Sequence, residues 1–188
     1  MGRIPIDIPK SIQTGKLIIK ESLSVTIAEY FFYLMFAISF PFMAIMEFNS
    51  ALNKKESIAL PFLFLLSAII LSVLLMYSII DLNSLKRIKG LSRGKNSSLI
   101  EKIAENNNWN ISSTNQQMTV ISFSWQDSGT DWGKQITILY DKKDILVNCI
   151  SFGLYSSPSP FHWFVNKRKV NRLKTEFEKE VTKFHTNA

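Results

Sequence analysis

The chain has 188 residues, 46% of them hydrophobic, with 22 Lys and Arg against 15 Asp and Glu. That apolar content excludes intrinsic disorder, the single cysteine, Cys149, excludes a disulfide scaffold, and 7 Gly with 6 Pro exclude a collagen-like or linker-like chain. The formal charge of +7 describes a basic surface without naming an activity.

The averages conceal two apolar windows. Ile27 to Phe48 spans 22 residues with charges only at Glu29 and Glu47, and Ile58 to Ile80 spans 23 residues with none. As helices they would reach about 33–35 Å, against a hydrocarbon core of about 30 Å. Neither has a polar stripe at helical spacing, and a chain of this length cannot wrap two such helices on every side. The expectation is a membrane α-helical hairpin: an N-terminal segment (1–26), transmembrane helix 1 (27–48), a short external loop (49–57) and transmembrane helix 2 (58–80). Pro41 falls inside the first span, where proline kinks a helix, and Pro61 in the first turn of the second, where it is tolerated. The first window is too long and starts too late for a signal peptide, and Ile6 stands where a myristoylation pattern needs Ser or Thr. Ser39, Ser67, Ser72 and Ser78 are candidates for hydrogen bonds between the helices. Glu29 and Glu47 read as boundary residues that reach water.

Charge supplies an orientation. Arg3, Lys10, Lys16 and Lys20 precede the first span, Lys86, Arg87, Lys89, Arg93 and Lys95 follow the second, and the loop carries only Lys54 and Lys55. The positive-inside bias places both termini in the cytoplasm, with a bacterial inner membrane as the expected setting. An unpaired Cys149 fits that compartment, and Asn96-Ser97-Ser98 and Asn110-Ile111-Ser112 then have no meaning as glycosylation sites.

Residues 81–96 read as a basic juxtamembrane linker. Gly90 and Gly94 are separated by three residues where a phosphate loop needs four, and Asn96 stands where that loop needs Ser or Thr. Residues 97–188 read as a small cytoplasmic α+β domain. Ser98 with Glu101 forms a capping box, opening a helix to about Asn107 with Leu99, Ile100 and Ile103 inward. Trp109–Ser113 is a weak strand. Met118–Trp125 is a stronger one, with Thr119, Ile121, Phe123 and Trp125 on one face. Asp127-Ser128-Gly129 supplies a turn. Gln135–Tyr140 alternates through Ile136, Ile138 and Tyr140, Asp141-Lys142-Lys143-Asp144 turns, and Ile145–Phe152 returns. The result is an antiparallel meander of three or four strands. After a loop at Ser156–Pro160, Val170, Leu173, Phe177, Val181 and Phe184 mark a C-terminal amphipathic helix. Asn166 is its expected N-cap, with Val165 and Val170 as a hydrophobic staple. Both helices are expected on one face of the sheet. This layout resembles that of some bacterial pleckstrin-homology-like membrane proteins, in organisation alone. That fold implies about seven strands, and no family is assigned.

His162, His185 and Cys149 follow no metal-ligand spacing, and no cofactor motif is present. A Cys149–His162 nucleophile pair is outweighed by a buried, inert thiol on a strand. Asp127, Asp131, Asp141 and Asp144 sit in turns, where aspartate serves local hydrogen bonding. One feature runs against local physics. Lys167, Arg168 and Lys169 occupy the first turn after the expected cap, followed by Arg172 and Lys174, although cations are unfavourable at a helix N-terminus. Glu176, Glu178 and Glu180 come only later. With Phe161 and Trp163 as interfacial aromatics, the set Trp163, Asn166, Lys167, Arg168, Lys169, Arg172 and Lys174 is a candidate anion or lipid site. Lys86, Arg87, Lys89, Arg93 and Lys95 form a second, juxtamembrane set. The competing reading is a solvated face on a helix that begins near Asn171. Nucleic acid is disfavoured, because no recognised binding motif accompanies the charge.

The function expected from these features is non-enzymatic. An integral membrane protein would anchor a docking module that meets anionic lipid or a partner membrane complex. Two alternatives stand beside it. One is a membrane-tethered sensor or enzyme that takes a phosphorylated small molecule at Asn166–Arg172. The other is an accessory subunit whose spans contact a protein partner or a second copy.

Overall fold

A computed structural model describes residues 5–20, 23–55, 57–124, 133–153 and 158–186. Trp125, the Asp127-Ser128-Gly129 turn, Asp131 and Ser156 lie outside the described residues. The elements are α1 (Ile8–Thr14), α2 (Leu23–Lys54), α3 (Ala59–Asp81), β1 (Lys86–Lys89), α4 (Arg93–Asn106), β2 (Asn110–Thr114), β3 (Met118–Phe123), β4 (Lys134–Asp141), β5 (Asp144–Ser151), a short 3-10 turn (Pro160–His162) and α5 (Trp163–Thr186). They form two compact units. One is residues 21–81. The other joins residues 1–20 to residues 82–188.

In the first unit, α2 and α3 are long and apolar enough to cross a membrane, over Ile27–Lys54 and Ala59–Asp81. Each buries only a narrow stripe. On α2 the stripe is Tyr33, Ala37, Ala44 and Ala51, and on α3 Ala68, Ser78 and Ile79. The alanines recur at the heptad spacing of a coiled-coil seam, and their small side chains allow close approach. Ser72 Oγ donates across the pair to Ala37 O at 2.7 Å. Ser39 and Ser67 instead bond within their own helices, to Phe36 O and Phe64 O. Helix α2 continues past Phe48 to Lys54, so the connection is shorter than the loop expected at 49–57. Lys55, at φ 56°, makes the turn.

The second unit is built on a five-stranded antiparallel sheet in the order β1-β5-β4-β3-β2. The expectation of three or four strands is corrected by β1, which lies in the stretch read as linker. Lys86-Arg87-Ile88-Lys89 contains one apolar residue, too little for an alternation. It is recruited by pairing from Lys86↔Val147 to Lys89↔Asp144, and its exposed basic side chains guard a sheet edge. The expected capping box is also corrected. Helix α4 begins at Arg93, after Ser92, so Ser98 lies inside it and donates to Gly94 O at 3.1 Å. The start is fixed by Asn96, fully buried, whose Oδ1 accepts from Leu91 N at 2.7 Å and whose Nδ2 donates to Lys143 O at 3.0 Å.

Helices α4 and α5 pack on one face of the sheet, as expected. Leu99, Ile100 and Ile103 of α4 and Val170, Leu173 and Phe177 of α5 meet Ile121, Ile136, Ile138, Ile145 and Val147. The opposite face carries Leu139, Leu146, Ile150 and Phe152, and the N-terminal segment covers it with Leu17, Ile6, Ile8, Ile12 and Ile19. Within that segment Asp7 caps α1 through Lys10 N at 3.2 Å, and Gly15 ends it at φ 67°. Leu17 N donates to Asn83 O at 2.7 Å and Leu85 N to Gly15 O at 2.9 Å. Residues 21–81 are therefore an insertion into the α+β module.

Candidate functional site

Strand β5 hands the chain to α5 at one end of the sheet. Phe152 bridges Pro158, Ser159 N donates to Ser151 O at 2.8 Å, and the 3-10 turn runs directly into Trp163. Helix α5 thus starts before Asn166, and the expected N-cap and its Val165 staple are corrected. Asn166 is an interior, buried residue. Its Oδ1 accepts from Ser151 Oγ at 2.8 Å and from the buried Cys149 thiol at 3.7 Å, which pins the first turns of α5 to the end of β5. Lys167, Arg168 and Lys169 consequently sit in the second turn, where the helix dipole is weaker.

The expected basic site divides into two. On one flank, Lys169 and Arg172 are used by the module itself. Lys169 Nζ lies 4.4 Å from the Phe123 ring centroid and 5.0 Å from that of Trp109, and Arg172 lies 5.7 Å from Trp109. Arg172 also pairs with Glu176 at 2.9 Å and donates to Asn107 Oδ1. Burial, and then the nearby charges of Arg172 and Lys134, hold the Lys169 ammonium below its ordinary pKa. Lys174 pairs with Glu178 at 3.6 Å.

The other part faces outward. Phe164 and Arg168 lie one turn apart, on the side opposite Asn166, Val170 and Leu173, and Arg168 stands 5.9 Å from the Phe164 ring. Lys167 Nζ stands 5.3 Å from the Trp163 ring. Phe161 is 54% exposed, Phe164 58% and Val165 46%. Among the described residues of the module, the one further exposed large apolar side chain is Phe184, at 41%. Arg168 therefore belongs to an outward surface with Phe161, Phe164 and Val165, and Trp163 and Lys167 border it half-buried. Asn166 is buried, and Lys169, Arg172 and Lys174 are engaged by the module's own side chains. Phe164 carried no signal of its own in sequence. Its mark is an apolar residue off the buried 3–4 spacing, recognisable once that spacing is in register.

The juxtamembrane set does not act as one patch. Lys86 Nζ donates to Asn171 Oδ1 at 2.6 Å. Arg87 pairs with Asp141 at 2.7 Å and Asp144 at 2.9 Å, and these bonds raise its pKa. Arg93 opens α4, and Lys95 Nζ lies 4.3 Å from the Phe184 ring. Lys89 is exposed on the edge strand. Among the described residues no group of three or more His, Cys, Asp and Glu is placed to hold a metal ion. His162 Nδ1 bonds Ser159 Oγ at 3.2 Å. No family model, curated protein or solved structure matches the chain.

Proposed function

We propose that the chain is a two-pass membrane protein of a bacterial inner membrane. Its α+β module stands on the cytoplasmic side and docks onto anionic lipid or a partner membrane complex rather than catalysing a reaction. The observation that carries this reading is the surface of the hairpin. Only 17% of the most apolar window of each long helix is buried, and residues such as Phe32, Leu60, Val73 and Ile80 are 63%, 78%, 63% and 64% exposed. A core helix of a soluble protein hides such side chains, and a surface this apolar needs a lipid or protein environment. The insertion supports the pairing of spans, because a hairpin that starts and ends in one folded module must return to the side it left. The excess of Lys and Arg in the flanking segments over the turn at Lys54 and Lys55 supports the cytoplasmic side.

The test is membrane fractionation of the full chain with a reporter fused after Ala188. We expect retention in the membrane through alkaline carbonate washing, a fluorescent cytoplasmic reporter and an inactive phosphatase reporter. Release by carbonate, or an active phosphatase at that position, would overturn the reading. Purification in mild detergent followed by mass spectrometry separates lipid from a protein partner.

A further inference from the structure

We infer that the start of α5 is an interfacial wedge for the anionic leaflet beside the hairpin, with Phe161, Phe164 and Val165 entering the apolar boundary and Lys167 and Arg168 meeting lipid phosphates. The inference rests on the reading that α2 and α3 span a bilayer and deepens it by naming the surface and its partner. Isolated exposed apolar residues are ordinary on soluble proteins, but here three occur within five residues, at 54%, 58% and 46% exposure. Trp163, an aromatic suited to a boundary between apolar and wet layers, sits among them. The chemistry beside them is cationic. Lys167 stands over Trp163 and Arg168 over Phe164, and along the helix no carboxylate occurs before Glu176. An apolar cluster bordered by Lys and Arg is the composition of helices that lie in a membrane surface.

The position of the wedge within the module is the independent observation. The chain joins the module from α3 at Leu82, and Asn148 Nδ2 of β5 donates to Leu82 O at 3.1 Å and Ser84 O at 2.9 Å. Three residues further along the same strand, Ser151 Oγ donates to Asn166 Oδ1 at 2.8 Å and so holds the first turns of α5. The point of attachment to the second span and the wedge are therefore both held by the second half of the same strand, from its two faces. A wedge at the far end of the sheet, by the Asp141–Asp144 turn, would have been carried away from the attachment point.

The experiment uses the full chain reconstituted into vesicles, with a fluorophore on a single cysteine introduced as Phe161→Cys, Phe164→Cys or Val165→Cys. Thr175→Cys, exposed on the same helix, is the control, and the native Cys149 is buried. Quenching by nitroxide-labelled lipid is read in phosphatidylglycerol and in phosphatidylcholine vesicles. We expect several-fold stronger quenching at 161, 164 and 165 than at 175 in phosphatidylglycerol. That difference should fall with added salt and in the double variant Lys167→Glu, Arg168→Glu. Quenching at 164 no greater than at 175, in vesicles whose hairpin resists carbonate extraction, would overturn the wedge alone. Equal quenching in both lipids would overturn the anionic leaflet as its partner. A hairpin that carbonate extracts would overturn the membrane reading, and the wedge with it.

Discussion

Asn96 satisfies two backbone groups, Leu91 N and Lys143 O, and Gly90 makes room for it. A Cβ on Gly90 would lie 2.6 Å from Asn96 Oδ1 and 2.8 Å from Lys143 O, the second of which is backbone and cannot swing aside. Asn96→Ala leaves Leu91 N and Lys143 O without their partner, at a cost of about 1–3 kcal/mol. Gly90→Ala is expected to cost about as much through overpacking. Urea unfolding of each variant in detergent, followed by tryptophan fluorescence, should show lowered midpoints. A midpoint within error of the parent would refute the clamp. Glu180 sets a pH dependence. Hydrogen bonds from Lys102, then Lys183, hold its carboxyl down from an ordinary 4.5 to about 2. Because the folded value lies below the unfolded one, the contribution is complete above pH 4.5 and is lost as pH falls toward 2. The stability gap between the parent and Glu180→Gln should therefore close over that range. It should also shrink with salt, since these groups are near the surface. In sequence Asn96 shows as the first residue of a sequon and as a break in a phosphate-loop pattern, neither of which marks its clamp, since a buried amide is recognised by its distant partners and those are not adjacent in the chain.

Among the elements, β3, β4, β5 and the buried stripe of α5 were legible because alternation at period two and spacing at three to four residues are local signals. Strand β1 was not, because its register is imposed by β5 and three of its four residues are basic. Helix α5 starts earlier than the sequence suggests because Asn166 has the chemistry of a cap, while its amide is drawn inward to Ser151. The outward surface of Phe164 and Val165 was hidden by that same shift. Helix α1 did leave signals: Asp7 before it, Pro9 in its first turn and Gly15 after it. What they lacked was any local indication that the segment would cover a sheet formed by residues far along the chain. Removing residues 5–15 should uncover Leu139, Leu146, Ile150 and Phe152 and abolish cooperative unfolding of the module, with dye binding to exposed apolar surface as the readout. Retained cooperativity would show that the segment is dispensable. In the hairpin, Ala44 is fully buried at the seam. Ala44→Leu should force the helices apart, measured as a longer distance between spin labels on α2 and α3.

For the whole molecule, the insertion predicts an experiment that a simple string of domains does not. Lys16 bridges Ser84 and Leu17 N bonds Asn83 O, so the two strands of chain that lead to the hairpin are held side by side. Replacing residues 21–81 by a short Gly-Ser linker should give a soluble, folded module with the parent's near-ultraviolet circular dichroism. An unfolded or aggregated product would mean that the hairpin contributes to the module's own stability.

The cover on the back of the sheet also sets an order of events during synthesis. Residues 5–20 leave the ribosome before the hairpin and the sheet, yet the surface they bind is completed only when Phe152 has emerged, after both long helices. Until then Ile6, Ile12 and Leu17 have no sheet to rest on. If α2 and α3 span a bilayer as proposed, a nascent chain that threads only one of them would leave those residues stranded across the membrane from their partner, and the sheet would keep a bare apolar face. On the proposed membrane reading, completion of the module would act as a proofreading step for insertion: a correctly returned hairpin would close the fold, and a misthreaded one would display the kind of surface that chaperones and proteases recognise.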